Sequence, residues 1–269
     1  MIGFDAPVLK KHWNIQLDNH QIKDTLVMSR LLKPTIENGH SLRAWGQRLG
    51  KNKDDFKDFD GGLTSEMVRY CKQDVEVTAT LYKRLTNDLL GWGKSVDLEH
   101  RVALIVKQQE DTGFKLNVRQ AMSLLVGWKN RINEIQCELQ QVFKPIVSVR
   151  FSEKTGKKLK DKTEVFNPAS RKQIAERLMA LGWQPTKHTE KGSVIVDEGT
   201  LQTIDIPQAK LIAEYLLVQK RVAQVESWID HADHSDRVHC KVITNGAVTG
   251  RMTHSKPNLA QVPRVGNPF

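Results

Sequence analysis

Two short stretches carry side chains whose types and spacing could do chemistry. The first is "YCKQD", Tyr70 to Asp74. On a helix, positions four apart share a face, about 6 Å apart along the axis at ~1.5 Å per residue. Aspartate is a hard-oxygen ligand suited to Mg²⁺. A phenol beside such an ion can hold a water in line with a phosphorus atom. Two-ion phosphodiester cleavage needs that arrangement: one ion lowers the pKa of the attacking water and the other stabilises the leaving oxygen. The same spacing also suits a hydrogen-bonded buried tyrosine and a solvent-facing aspartate, so spacing alone leaves both open.

The second stretch is "NGAVTGRMTHSKPNLAQVP". Gly250 permits a close backbone approach. Arg251 offers a rigid fork to minor-groove acceptors or phosphates. Those acceptors occur at every base pair, so a contact there tests pair geometry without reading sequence. Asn258 and Gln261 can hydrogen-bond bases or sugars, and Thr249 falls in the same candidate DNA-binding set. A lone Thr-Gly-Arg would fit a β-turn with a surface arginine; the Pro-Asn-Leu continuation is more specific.

Elements must hold these groups. The 269 residues are 39% hydrophobic, enough for a real core, and carry a formal net charge of +10. That excess favours a polyanionic partner, nucleic acid first, against a soluble basic protein with no such partner. Cys71, Cys137 and Cys240 are too scattered for a disulfide framework and fit reduced thiols in the cytoplasm. No leader and no apolar run near the ~20 residues of a membrane span are visible. The opening "MIGFDAPVLKK" and the closing "VPRVGNPF" read as cuts through a larger chain.

Helices are expected from Asp5, with Pro7 in the first turn, within "IKDTLVMSRLLKP" after a short strand and stopping before Pro34, and over "HSLRAWGQRLG", closed by Gly50. "KNKDDFKDFDGG" reads as a polar loop. A long helix follows, capped by Thr64 or Ser65, with an apolar stripe Met67, Cys71, Val75, Thr78, Tyr82 and Leu85. Further helices are expected up to Gly113, from Asn117 to Pro145, up to Gly182, and over "QAKLIAEYLLVQKRVAQVESWI". "SVRFSEKTGKKLKDKTEVFNPASR" reads as a basic hairpin or disordered segment, "IVDEGTLQTI" as a connector, and "RVHCKVITNGAVTGRMTH" as two strands around a Thr-Asn-Gly turn.

"YCKQDVEVT" resembles the third motif of proofreading 3′–5′ exonucleases of the DEDDy type, and "FDAPVL" resembles the second, whose aspartate here is Asp5. "IKDTLVMSRLL" is similar to a segment common in that superfamily, in which Asp24 reads as structural. The resemblance implies Tyr70, Asp74 and Asp5 as catalytic residues, with Asp5 and Asp74 as Mg²⁺ ligands. The superfamily draws two more acidic ligands from an Asp-x-Glu strand upstream. That motif is absent here, so metal binding by this chain is expected to be weak or absent.

The second stretch resembles the start of the palm in family A DNA polymerases. "EHRVALIVKQQEDTGFKLN" and "FNPASRKQIAERLMALGW" are similar to thumb segments, and "EYLLVQKRVAQVESW" to the helix that leads into the palm. Asn167, Ser170, Arg171, Lys172 and Lys220 carry over as DNA contacts, phosphate contacts in the case of the first four. The closest flavour is that of phage polymerases related to the type that recruits thioredoxin. Where that type inserts a long loop, only about twenty residues, roughly Pro145 to Glu164, stand here. No thioredoxin clamp is therefore expected, and the Lys-rich hairpin reads as a short, salt-sensitive electrostatic tether.

The resemblance implies an α+β, mostly helical chain: a remnant of a ribonuclease-H-like exonuclease domain over 1–92, a thumb over 93–225 and the first antiparallel palm strands over 226–269. The implied function is that of a piece of a template-directed DNA polymerase with proofreading, binding primer-template DNA in the cytoplasm of a phage-infected or lysogenic bacterial host. Separate chains supplying the missing polymerase pieces are conceivable partners. The alternatives are a non-catalytic DNA-binding remnant and a stand-alone exonuclease.

Overall fold

The computed structural model describes residues 1–51, 56, 62–152 and 154–262. Most of the expected loop after Lys51 (residues 52–55 and 57–61) lies outside the described residues, as does residue 263 onward. The element order is α1 (Asp5–Trp13), α2 (Thr25–Leu32), α3 (Leu42–Arg48), α4 (Ser65–Asp88), α5 (Gly93–Thr112), β1 (Phe114–Lys115), α6 (Val118–Val142), β2 (Ile146–Ser148), β3 (Lys162–Glu164), α7 (Arg171–Ala180), α8 (Glu198–Thr203), α9 (Pro207–Asp230), β4 (Arg237–Val238), β5 (Lys241–Ile243) and β6 (Thr253–Ser255). These fall into two compact units. One joins Met1–Phe114 to Arg237–Gln261; the other holds Lys115–Asp236 and Val262 among the described residues.

In the first unit, most helices start where a polar side chain can accept an orphan N–H. Thr64 Oγ1 accepts from Met67 N–H at 3.1 Å, and Ser41 Oγ from Ala44 N–H at 3.2 Å. The strand expected before α2 does not form. Asp24 is instead buried as the α2 cap, accepting from the N–H groups of Leu26, Val27 and Ile2. Its own N–H donates to Nε2 of buried His100, whose Nδ1–H donates to the Val96 carbonyl. Burial alone would raise the Asp24 carboxyl. Bonds from the chain's amino terminus and from the Ile2 and Leu26 N–H groups outweigh it and hold the carboxyl below its ordinary value.

The α4 stripe is also corrected. The buried face is Val77, Leu81 and Leu85, whereas Cys71, Val75 and Tyr82 are exposed. Burial follows the neighbours rather than the regularity of the pattern: Met28 of α2 and Trp45 of α3 form one core with Leu81, Leu85 and Leu89. Toward the N-terminal end of α4, Leu63 (83% exposed), Met67, Val68, Cys71 and Val75 line an open apolar groove. Trp45 Nε1–H donates to Ser29 Oγ, whose hydroxyl donates to His40 Nδ1, and His40 Nε2–H donates to the Pro34 carbonyl.

In the second unit α6 packs along α9, and α8 also packs on α9. Its main core gathers Ile135, Leu139, Phe166, Ile174, Leu178, Leu201 and Ile212. The segment read as a connector contains α8, started by Asp197, which accepts from Thr200 N–H at 2.7 Å. Arg131 of α6 reaches Glu214 of α9 through Nε and Nη2, at 2.7 and 3.0 Å. The basic segment forms an antiparallel hairpin: Ile146 faces Glu164, Val147 faces Thr163 and Ser148 faces Lys162, with a further bridge between Phe151 and Lys158.

Candidate nucleic-acid interface

In the first unit β5 and β6 pair antiparallel, Lys241 opposite Ser255 and Ile243 opposite Thr253. The connection between them is longer than the expected Thr-Asn-Gly turn and runs from Thr244 to Met252. Its apex is a turn in which Gly250 N–H donates to the Ala247 carbonyl at 2.8 Å and Ala247 N–H to the Arg251 carbonyl at 3.0 Å. Gly250 has φ +74°, a conformation that favours glycine. Both Thr249 and Arg251 are exposed, and Arg251 Nε–H donates to Thr249 Oγ1 at 3.2 Å, which braces the guanidinium. One residue that sequence reasoning passed over sets the base of this loop. A Cβ on Gly246 would stand 2.1 Å from Thr253 Oγ1 and 3.1 Å from the Ile243 carbonyl. The Asn-Gly pair signalled a turn, not this close contact. Asn258 is half-buried with Oδ1 accepting from Ala260 N–H at 3.0 Å, and Gln261 is exposed.

In the second unit the N-terminus of α7 gathers four of the expected contacts. Ser170 caps the helix, accepting from Gln173 N–H at 3.4 Å. Asn167 Oδ1 accepts from Ala169 N–H, while the Asn167 N–H donates to Gln173 Oε1 at 2.6 Å. Arg171 is exposed but spends one N–H on the Val196 carbonyl at 2.7 Å; the Lys172 side chain is 85% exposed. Lys172 also stands 3.9 Å from Glu176; a helix N-terminus beside two exposed cations suits an anion. Lys220 is exposed on α9.

The other constellation is less compact. Tyr70 and Asp74 are half-buried on α4, and the Phe56 ring lies 5.7 Å from that of Tyr70, centre to centre. Asp5 opens α1 with its side chain 59% exposed. It lines a cavity of about 460 Å³ with Thr25, Arg30, His40 and Thr78. Thr78, one turn beyond Asp74, reaches that cavity; Tyr70 and Asp74 are not among its lining residues. Burial pushes the His40 imidazole below its ordinary value, and Arg30 and Arg48 add to the effect against the bond to Pro34. Among the described residues no three His, Cys, Asp or Glu side chains gather to hold a metal ion. Asp5 and Asp74 do not by themselves fit a two-ion centre.

Residues 141–267, which include the hairpin, α7, α9 and the Arg251 loop, match the family described as DNA polymerase family A. Over 384 aligned positions the chain is 29% identical to the DNA-directed DNA polymerase of Escherichia phage T7, covering 99% of this chain and 54% of that one. The DNA-directed DNA polymerase of Enterobacteria phage T3 gives the same identity and coverage. Over residues 141–267 the chain is similar to DNA polymerase family A, and over nearly its whole length it is similar to the two phage polymerases.

The chain spans about half the length of the curated relatives it matches. The T7 alignment runs over 384 positions although the chain has 269 residues. More than a hundred aligned positions of the relative therefore have no counterpart here. Among solved structures, the POL domain of Pol1 from M. smegmatis, in complex with DNA primer-template and dNTP, matches with a TM-score of 0.71 at 16% identity, over 91% of this chain and 39% of that one. The fold is therefore shared with that part of the POL domain. No helix among the described residues is long and apolar enough to cross a membrane.

Proposed function

We propose that this chain is the duplex-gripping portion of a template-directed DNA polymerase with 3′–5′ proofreading. In this reading residues 1–92 are the later part of an exonuclease domain of ribonuclease-H-like ancestry, 93–225 the thumb and 226–269 the start of the palm. The braced, exposed Arg251 on the β5–β6 loop carries the reading: its guanidinium faces solvent, where it can meet a minor groove, and two backbone hydrogen bonds hold the turn that presents it, one of them to its own carbonyl. Thr249, Asn258 and Gln261 extend the contact; in the second unit Lys220 is a DNA contact of its own, and Asn167, Ser170, Arg171 and Lys172 take phosphates. Tyr70, Asp74 and Asp5 are assigned to the editing centre, where Mg²⁺ would require acidic ligands beyond Asp5 and Asp74. The chain alone is then expected neither to extend nor to edit.

The test is equilibrium binding to a primer-template duplex beside an extension and digestion assay with Mg²⁺ and dNTPs. Binding without turnover is expected, weakened roughly tenfold or more by Arg251→Ala, as befits loss of a hydrogen bond from a charged donor. Absence of duplex binding, or robust extension, would refute the reading. Digestion of single strands with no preference for duplex would favour a stand-alone exonuclease.

A further inference from the structure

The tip that presents Arg251 also presents two apolar side chains. Val248 is 78% exposed, in the turn closed by the bond from Gly250 N–H to the Ala247 carbonyl, and Met252 is 46% exposed. They are the large apolar residues between Thr244 and Met252, and they stand on either side of Arg251 in the chain. A single exposed apolar residue means little. These two bracket a braced cation and share its support, a turn fixed by backbone bonds and by the tight seat of Gly246 against Thr253.

A guanidinium in a minor groove reaches for the acceptors on its floor. Side chains beside it meet the walls, which are sugars. On a deoxyribose wall the 2′ carbon carries only hydrogen, an apolar face that suits a valine and an adaptable methionine. On a ribose wall the 2′-hydroxyl is displayed in that same groove. An apolar side chain pressed against it strips away water and returns no hydrogen bond, which costs free energy. The polar groups nearby are already engaged: Thr249 Oγ1 accepts from Arg251, and Asn258 Oδ1 accepts from Ala260 N–H.

We propose that Val248 and Met252 make the Arg251 loop selective for deoxyribose, so that a duplex whose groove walls carry 2′-hydroxyls binds less well. The inference rests on the duplex-binding reading and adds a sugar preference that reading does not contain. An enclosed apolar pocket rejects a ligand with one added hydroxyl by about 100-fold. A loop tip open to solvent encloses less, so a preference of roughly tenfold is expected here.

The experiment measures equilibrium binding of the full chain, at one salt concentration, to duplexes of one sequence built from DNA, from RNA and from 2′-fluoro strands. The fluorinated duplex keeps an RNA-like helix without the hydroxyl, so it separates the hydroxyl from the shape of the groove. The DNA and fluorinated duplexes are expected to bind alike, each roughly tenfold more tightly than RNA. Val248→Ser combined with Met252→Gln puts polar atoms at both positions and should bring the ratio of DNA to RNA affinity down several-fold. A wild type that binds DNA and RNA equally, a fluorinated duplex as weak as RNA, or a ratio that the double variant leaves unchanged overturns the sugar preference and spares the duplex reading. A wild type that binds no duplex overturns both.

Discussion

Substituting Gly246 by alanine should loosen the loop that presents Arg251, by an amount the geometry sets. The added methyl would stand 2.1 Å from Thr253 Oγ1 and 3.1 Å from both Thr253 Cβ and the Ile243 carbonyl. Rotating the Thr253 hydroxyl away relieves the first overlap but not the other two, one of which is backbone. Overpacking of this kind costs about 1–3 kcal/mol, which corresponds to roughly a five- to 150-fold rise in local opening. Hydrogen exchange read by mass spectrometry over residues 241–255 reports that opening directly. The amides of Ala247 and Gly250, both hydrogen-bonded within the loop, should lose protection by that factor while segments of the second unit keep theirs. Adding Thr253→Ala removes the closest atom and should restore part of the protection. Unchanged exchange in Gly246→Ala, or a double variant no better than the single one, would show that the contact does not hold the loop.

Asp24→Ala strips the acceptor from the N–H groups of Ile2, Leu26 and Val27; a loss of about 2–4 kcal/mol is expected in chemical denaturation of the first unit. His40 has its pKa lowered in the folded chain, so below its unfolded value near 6.5 the unfolded chain binds the proton first. Stability should therefore fall as pH drops from 7.5 toward 5.5, and a pH series of melting temperatures should show a shallower fall in His40→Ala. Arg131→Met removes the fork to Glu214 between half-exposed side chains and should change stability by under about 1 kcal/mol in the same assay. Ser170→Ala removes the α7 cap and should cost about 1 kcal/mol in denaturant melts.

Most helices were legible because their starts are written locally: Thr64, Asn117 and Ser170 each meet a backbone N–H within three residues. The short strand expected at the start of "IKDTLVMSRLLKP" failed because the burial of Asp24 there involves His100, which is 76 residues away. The α4 stripe was read correctly at Leu85 but in the wrong phase before it, because Cys71 and Val75 fit the period as well as Val77 and Leu81 do; only the positions of α2 and α3 decide between them. Helix α8 escaped notice because it is six residues long and contains Gly199. At the candidate interface, the exposed arginine and the tight turn at Gly250 follow from residue types. The Gly246 contact and the bond from Asn167 N–H to Gln173 do not, since both depend on groups brought together from across a loop.

The first unit is assembled from two separated stretches of chain. Glu110 Oε1 accepts from Val242 N–H at 2.8 Å, and Arg237 Nη1 donates to the carbonyls of Thr112 and Gly113. A ribosome must therefore deliver everything from Lys115 to Asp236 before these partners exist. At roughly 5–20 residues per second that interval is on the order of ten seconds. During it the intervening helices can mature as a self-contained body, while the earlier helices wait unfinished and exposed to proteases. Nascent chains stalled before residue 237 should be cleaved readily within the first hundred residues, and chains stalled well beyond residue 261 should resist.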